Sequence, residues 1–179
     1  MMRQAFCDAA PVPRDPMTVN LIGFLDGRDR DELVATLGGL GVRVRSCLLP
    51  ALHPRMAEGY LEASLQVVGP SADWERLYAG IFGDLDIATL RVEAPYGMAA
   101  TTAFLRAVVE ALGRPDLVPI IARQEAAFRA SVLDRLSTRA AAHRVGLVCE
   151  VDRQHRLAGF GSPWGLPVVR VLREAGFAV

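Results

Sequence analysis

Cysteine and histidine are the side chains best suited to hold a metal or attack a substrate, and the 179-residue chain has three of each. Cys7, Cys47 and Cys149 stand far apart, with no C-x-x-C pair and no Cys/His spacing of a metal site. Cys47 closes one apolar segment and Cys149 lies within another, so both are expected in the core as small apolar residues. Cys7 reads as a terminal thiol. His53 precedes Pro54 in a loop, His143 ends a helical stretch and His155 follows Asp-Arg-Gln, each without a second ligand at helical or hairpin spacing. No metal ligand is assigned. Asp26, Asp29 and Asp152 lie near predicted strand ends but are turn or cap residues in type rather than carboxylates of a dry pocket. Ser46, Ser64, Ser71 and Ser162 lack a nucleophile-elbow sequence, and the catalytic residues stay unknown.

All 20 basic residues are arginine. Without lysine there is no Walker A loop, no Schiff base to pyridoxal phosphate and no kinase-type lysine. "AGFGSPWG" (158–165) has three glycines but not the G-x-G-x-x-G spacing, and it follows a charged loop. It reads as a surface turn around Trp164. Twenty basic and twenty acidic groups balance without a long block of either sign, so nucleic acid is not expected as a partner. No apolar run reaches the roughly 18 residues of a spanning helix, and "MMRQAFCDAA" lacks a signal peptide's apolar region. The expectation is a cytoplasmic protein that does not engage a membrane.

These residues hang on a βα alternation. Residues 1–17, with Pro11, Pro13 and Pro16, form an extended leader. "TVNLIGFL" (18–25), "VRVRSCLL" (42–49), "ASLQVVG" (63–69) and "IATLRVEA" (87–94) are predicted strands. Between them lie predicted helices: "RDELVATLGGLG" with Asp29 as its cap, a short one near 54–61, and "WERLYAGIFG" capped by Ser71 or Asp73. Parallel strands need crossover helices, so the fold class is α/β, with a doubly wound, mostly parallel Rossmann-like sheet flanked by helices.

After the fourth strand, Pro95-Tyr96-Gly97 turns the chain, and Thr101 or Thr102 caps a helix with Phe104, Leu105, Val108 and Leu112 on one face. The turn falls at the carboxyl edge of the sheet, where ligands of open α/β sheets collect. It is either a corner alone or a corner that also borders a site. A long helix comes next, with Leu117, Ile121, Phe128, Val132 and Leu136 on an apolar face and Arg123, Arg129, Arg135 and Arg139 solvated. "RVGLVCEV" (144–151) and "LPVVRVLREAG" then restart the alternation, and "FAV" opens another strand. A strand, a helix and a strand opening cannot bury their own faces, so this part is an incomplete second βα unit, with Val168, Val169, Val171 and Phe177 left exposed. The predicted domains are 18–115 for the Rossmann-like unit, 116–142 for a connecting helix and 143–179 for the incomplete unit.

The order of these motifs resembles the nitrogenase component 1 type oxidoreductase family, which includes nitrogenase subunits, cofactor-assembly scaffolds and nitrogenase-like reductases. "VNLIGFLDGRDRDELVATLGGLGVRV" is similar to the family's strand-turn-helix-strand, and "APYGMAATTAFLRAVVEALG" to its aromatic-Gly turn and capped helix. "RQEAAFRASVLDRL" leading into "RVGLVCEVD" carries the likeness further along the chain. The resemblance covers about Val19 to Val179, a middle domain and the start of the next.

The resemblance implies an intact complex that uses iron-sulfur clusters for multi-electron reduction, with a similar subunit, as homo- or hetero-oligomer, and a reductase electron donor as partners. This chain itself is expected to bind no cofactor alone and to be inactive in isolation. By the same comparison Gly23, Gly69, Pro95, Tyr96 and Gly97 line the sheet edge that faces a cofactor or substrate, through backbone amides and shape. Gly69 stands in a stretch where the nitrogenase catalytic subunit has a cluster-binding cysteine. That departure points to a nitrogenase-like enzyme, a scaffold or a partner subunit. The alternatives are a non-catalytic cofactor-scaffold or assembly module and a small stand-alone α/β ligand-binding protein.

Overall fold

In the computed structural model, residues 12–24, 27–49, 59–69, 72–83, 85–148 and 167–179 are described. The chain divides into two units, Met1–Val92 with Glu110–Gly113, and Glu93–Val109 with Arg114–Val179.

In the first unit, strands β1 (Asp15–Ile22), β2 (Arg43–Leu48), β3 (Ala63–Val68) and β4 (Ala88–Arg91) form one sheet in the order β2-β1-β3-β4. Every pairing is parallel. The expected α/β, mostly parallel Rossmann-like sheet with flanking helices is therefore observed, and its four strands are wholly parallel. Helix α1 (Arg28–Gly39) crosses from β1 to β2, and α2 (Ala72–Phe82) from β3 to β4. The central strands are apolar and β-branched because both faces are covered: Thr18 to Ile22 of β1 are all buried, whereas edge strand β4 is largely exposed.

Side chains alternate across the sheet, so residues two apart share a face. On one face Ile22, Leu48 and Val68 join Tyr60, Tyr78, Phe82 and Ile87 in one apolar cluster. The Tyr60 and Phe82 rings stack with centroids 4.9 Å apart. Full burial of each such side chain contributes about 1.5–3 kcal/mol. Helix α1 packs on β2 and buries Leu33 and Leu37, one turn apart on a single face.

A register shift separates Val19 from Asn20: Val19 pairs with Val44, but Asn20 pairs with Ser46. Arg45 is the extra residue of this bulge. Its guanidinium lies 2.9 Å from the Glu62 carboxylate. The bulge sets every later pairing, since it brings Leu48 rather than Cys47 opposite Ile22.

Several local expectations shift. β1 begins at Asp15, three residues before the predicted start. Gly27, not Asp29, is the N-cap of α1, and Asp29 and Asp31 lie in its first turn, where carboxylates complement the helix dipole. Of the predicted helix near 54–61, Tyr60 and Leu61 lie in a 3-10 turn, Tyr60–Glu62, and 54–58 are outside the described residues. Ser71 also lies outside them, and Asp73 is within α2.

Helix α3 (Met98–Ala111) carries most of its length in the second unit and buries Thr102, Phe104, Leu105, Val108 and Val109. A 3-10 turn (Pro115–Leu117) leads into α4 (Val118–Phe128), a π-helical turn (Arg129–Leu133) and α5 (Asp134–Ala140). Leu117 and Ile121 are buried, but Phe128, Val132 and Leu136 are 44%, 42% and 38% exposed, so only the first half of the expected apolar face is covered. The four arginines 123, 129, 135 and 139 are exposed, as expected.

The predicted strand at 144–151 is reduced, among its described residues, to one parallel bridge between Arg144 and Ala178, with the Val145 amide donating to the Ala178 carbonyl at 2.9 Å. Helix α6 (Val168–Glu174) lies between these bridge partners in sequence. Of its expected exposed residues, Val171 is exposed, while Val168, Val169 and Phe177 are half-buried. No described helix is long and apolar enough to cross a membrane.

Candidate functional site

The five predicted site residues fall into two groups, each built by a different kind of force. Gly23 and Gly69 belong to the first unit, where β1 and β3 end. The ladder continues past both strands: the Gly23 amide donates to the Leu48 carbonyl at 2.8 Å and the Gly69 amide to the Ile22 carbonyl at 2.8 Å. Both amides are used within the sheet. What the pair offers is a close main-chain approach. A β-carbon on Gly69 would stand 3.1 Å from the Gly23 carbonyl oxygen, and Gly23 itself takes a φ of +80° that side chains rarely adopt.

Pro95, Tyr96 and Gly97 belong to the second unit. The Tyr96 amide donates to the Ala94 carbonyl at 2.8 Å, and Gly97, with φ +82°, feeds the chain into α3. Four amides at the start of a helix have no partner within it. Here two of them meet a carboxylate from far along the chain: Met98 N donates to Glu174 Oε2 at 2.9 Å and Ala99 N to Glu174 Oε1 at 2.7 Å. Both charge-assisted bonds and the helix dipole favour an anion at this position.

The same helix α6 supplies Arg170, whose Nη2 donates to the Tyr96 carbonyl at 3.0 Å while Nη1 lies 3.5 Å from Glu93. The expected threonine caps are not caps of the helix amides. Thr101 Oγ1 instead donates back to the carbonyls of Pro95, at 2.9 Å, and Gly97, at 2.7 Å, because it sits inside the first turn. A β-carbon on Gly97 would fall on the Glu174 carboxylate. The turn is thus a corner clamped by Glu174 and Arg170.

Sequence reasoning missed Glu93, Arg170 and Glu174. Glu174 is 76 residues from Met98, and nothing local in "VLREAG" marks it as the cap of another helix. Cys47 is half-buried rather than a fully buried core residue. His143 is exposed, with Nδ1 at 2.9 Å from the Arg139 carbonyl. Ser64 donates to the Asp15 carbonyl at 2.7 Å, and Ser46 is buried. Cys7, Cys149, His53, His155, Asp26, Asp152, Ser162 and the turn at 158–165 lie outside the described residues.

Residues 1–178 match the nitrogenase component 1 type oxidoreductase family. The chain belongs to this family. No curated protein matches it. Membership identifies a nitrogenase-like oxidoreductase subunit, and the family is typically an iron-sulfur one. The described residues do not fit cluster ligation. They contain no group of three or more His, Cys, Asp or Glu that could hold a metal, and the carboxyl ends of β1 and β3 present glycine main chain, which offers no thiolate.

Proposed function

We propose that this chain is the middle part of a cytoplasmic nitrogenase-like oxidoreductase subunit that shapes one wall of a cofactor or substrate site, while iron-sulfur clusters for multi-electron reduction are held elsewhere in the complex. Residues 18–115 form the Rossmann-like domain and 143–179 the first βα unit of another. A similar subunit and a reductase electron donor complete the assembly. Family membership is the observation that carries this reading. The main-chain approach of Gly23 and Gly69 supports it, because a wall without side chains lets a bulky group come close to the strand ends.

A second reading, a cofactor scaffold or assembly module without turnover, is favoured by Gly69 itself, since no thiolate there can retain a cluster permanently. The two separate by experiment. Tagged chain is purified anaerobically from its source cells, and co-purifying subunits, iron content, electron paramagnetic resonance and donor-dependent substrate reduction are measured. The enzyme reading expects a partner, a reducible iron-sulfur signal and turnover that falls in Gly69→Val without loss of the complex. Complex formation with no turnover selects the scaffold.

A further inference from the structure

Four polar residues occupy one register row of the sheet, buried Ser46 on β2, Asn20 on β1 and Gln66 on β3 and exposed Thr89 on β4. Strands covered on both faces ordinarily carry apolar side chains there, because a buried polar atom without a partner lowers stability. Most of the row is satisfied. The Tyr60 hydroxyl donates to Gln66 Oε1, Gln66 Nε2 donates to the Ile87 carbonyl at 3.3 Å, and the Tyr78 hydroxyl and Thr89 Oγ1 share a hydrogen bond of 3.0 Å. Asn20 Nδ2 donates to the Tyr60 carbonyl at 2.9 Å.

Two atoms break the pattern. Among the described residues, Asn20 Oδ1 and Ser46 Oγ are buried without a hydrogen-bond partner, in residues 0% and 4% exposed. They are register neighbours, and they are so only because of the bulge, which places Ser46 rather than Arg45 beside Asn20. Two residues further along, their strands contribute Ile22 and Leu48 to one apolar cluster, so the amide and the hydroxyl project from the same face. Bulges often serve to re-aim a side chain, and this one sets the Ser46 hydroxyl on the strand position beside the Asn20 amide.

We infer that Asn20 Oδ1 and Ser46 Oγ together bind one ordered internal water. The chemistry selects water over other ligands. Asn20 Oδ1 can only accept and Ser46 Oγ can do either, so the ligand must donate to the first and bond the second from one small neutral atom. An anion would meet the carbonyl dipole of Asn20, and a cation would find two neutral oxygens with no carboxylate among the residues of the row. The water extends the chain of hydrogen bonds from Ser46 through Asn20 across the sheet, and internal waters typically make about three such bonds.

The sign of one substitution tests the idea. If water bridges the pair, Ser46→Ala removes a used hydrogen bond, lowers Tm and abolishes one long-lived water in oxygen-17 magnetic relaxation dispersion. If the hydroxyl is truly unanswered, the same change removes a penalty. A rise in Tm, or a dispersion unchanged from the unmutated chain, overturns the inference. A high-resolution crystal map of the unmutated chain gives a second reading that needs no variant. A solvent peak within hydrogen-bond reach of both oxygens is expected, and its absence overturns the inference as well.

Discussion

The two groups of predicted site residues solve the same problem, ending an element cleanly, by opposite means. At Gly23 and Gly69 the sheet's own hydrogen bonds run on past the strands, and nothing charged is involved. At Pro95–Gly97 the corner is tied by Glu174 and Arg170, two ionic side chains from a helix more than seventy residues away. Main-chain closure follows from strand pairing and is tolerant of solvent conditions. Ionic closure depends on distant residues arriving in place, and each bond it makes is individually replaceable.

The largest expected effect falls on the ionic side. Gly97→Val forces a β-branched residue into a positive φ and drives the Glu174 carboxylate off the Met98 and Ala99 amides. Strain and lost charge-assisted bonds together cost about 3 kcal/mol. Urea denaturation should show a lower midpoint at an unchanged slope, and a midpoint within error of the unmutated chain would break the contrast. Glu174→Ala tests the clamp without the strain. It leaves two helix amides without their carboxylate and should cost about 1.5 kcal/mol, with Glu174→Gln recovering part of that loss through its remaining oxygen. Faster hydrogen exchange confined to the first turn of α3 would locate the effect.

On the main-chain side the effects are smaller and differ between the two glycines. Gly23→Ala carries a side chain into φ +80° and should cost about 1–2 kcal/mol. Gly69→Ala has no such φ and meets only the Gly23 carbonyl at 3.1 Å, a gap that a shift of a few tenths of an ångström relieves, so about 1 kcal/mol is expected. Gly69→Cys should cost no more than Gly69→Ala, because the tight contact is made by the β-carbon. A loss above that of Gly23→Ala would show that the strand ends are more rigid than their hydrogen bonding implies.

What could be foreseen from the residues divides along the same line. The strands announced themselves because apolar, β-branched runs such as "TVNLI" and "ASLQVV" are short-range signals, and parallel pairing came from the crossovers between them. Gly23, Gly69 and Gly97 were legible for a related reason, since glycine after a strand or in a turn has a local meaning. Glu174 and Arg170 were not. Their partners are set by tertiary arrival, and an acidic residue in the last turn of a helix looks like surface decoration until the other helix is placed. The apolar series Phe128, Val132 and Leu136 misled in the opposite sense, because periodicity reports a face but not whether anything covers it. The bulge at Arg45 was not legible either, because the alternation whose phase it shifts is lost where "VRVRSCLL" turns continuously apolar.

The smallest effect at neutral pH, and the last test of the contrast, concerns Tyr60. Burial, with the neighbouring Tyr78 phenol, raises the Tyr60 phenol far above its ordinary value, and the Asn20 amide only partly opposes this. The folded chain therefore keeps Tyr60 neutral at a pH where the unfolded chain has already ionised it. Below about pH 10 both states hold the proton and the residue adds no pH dependence; above it the unfolded state binds fewer protons, so stability falls as pH rises. Spectrophotometric titration of the folded chain, which has three tyrosines, should leave Tyr60 unionised until the chain unfolds, when its phenolate appears together with the loss of structure. Gradual ionisation of all three tyrosines near pH 10 with the fold intact would mean that the aromatic face of the first unit admits charge, and the distinction between an uncharged main-chain closure and an ionic one would not extend to its core.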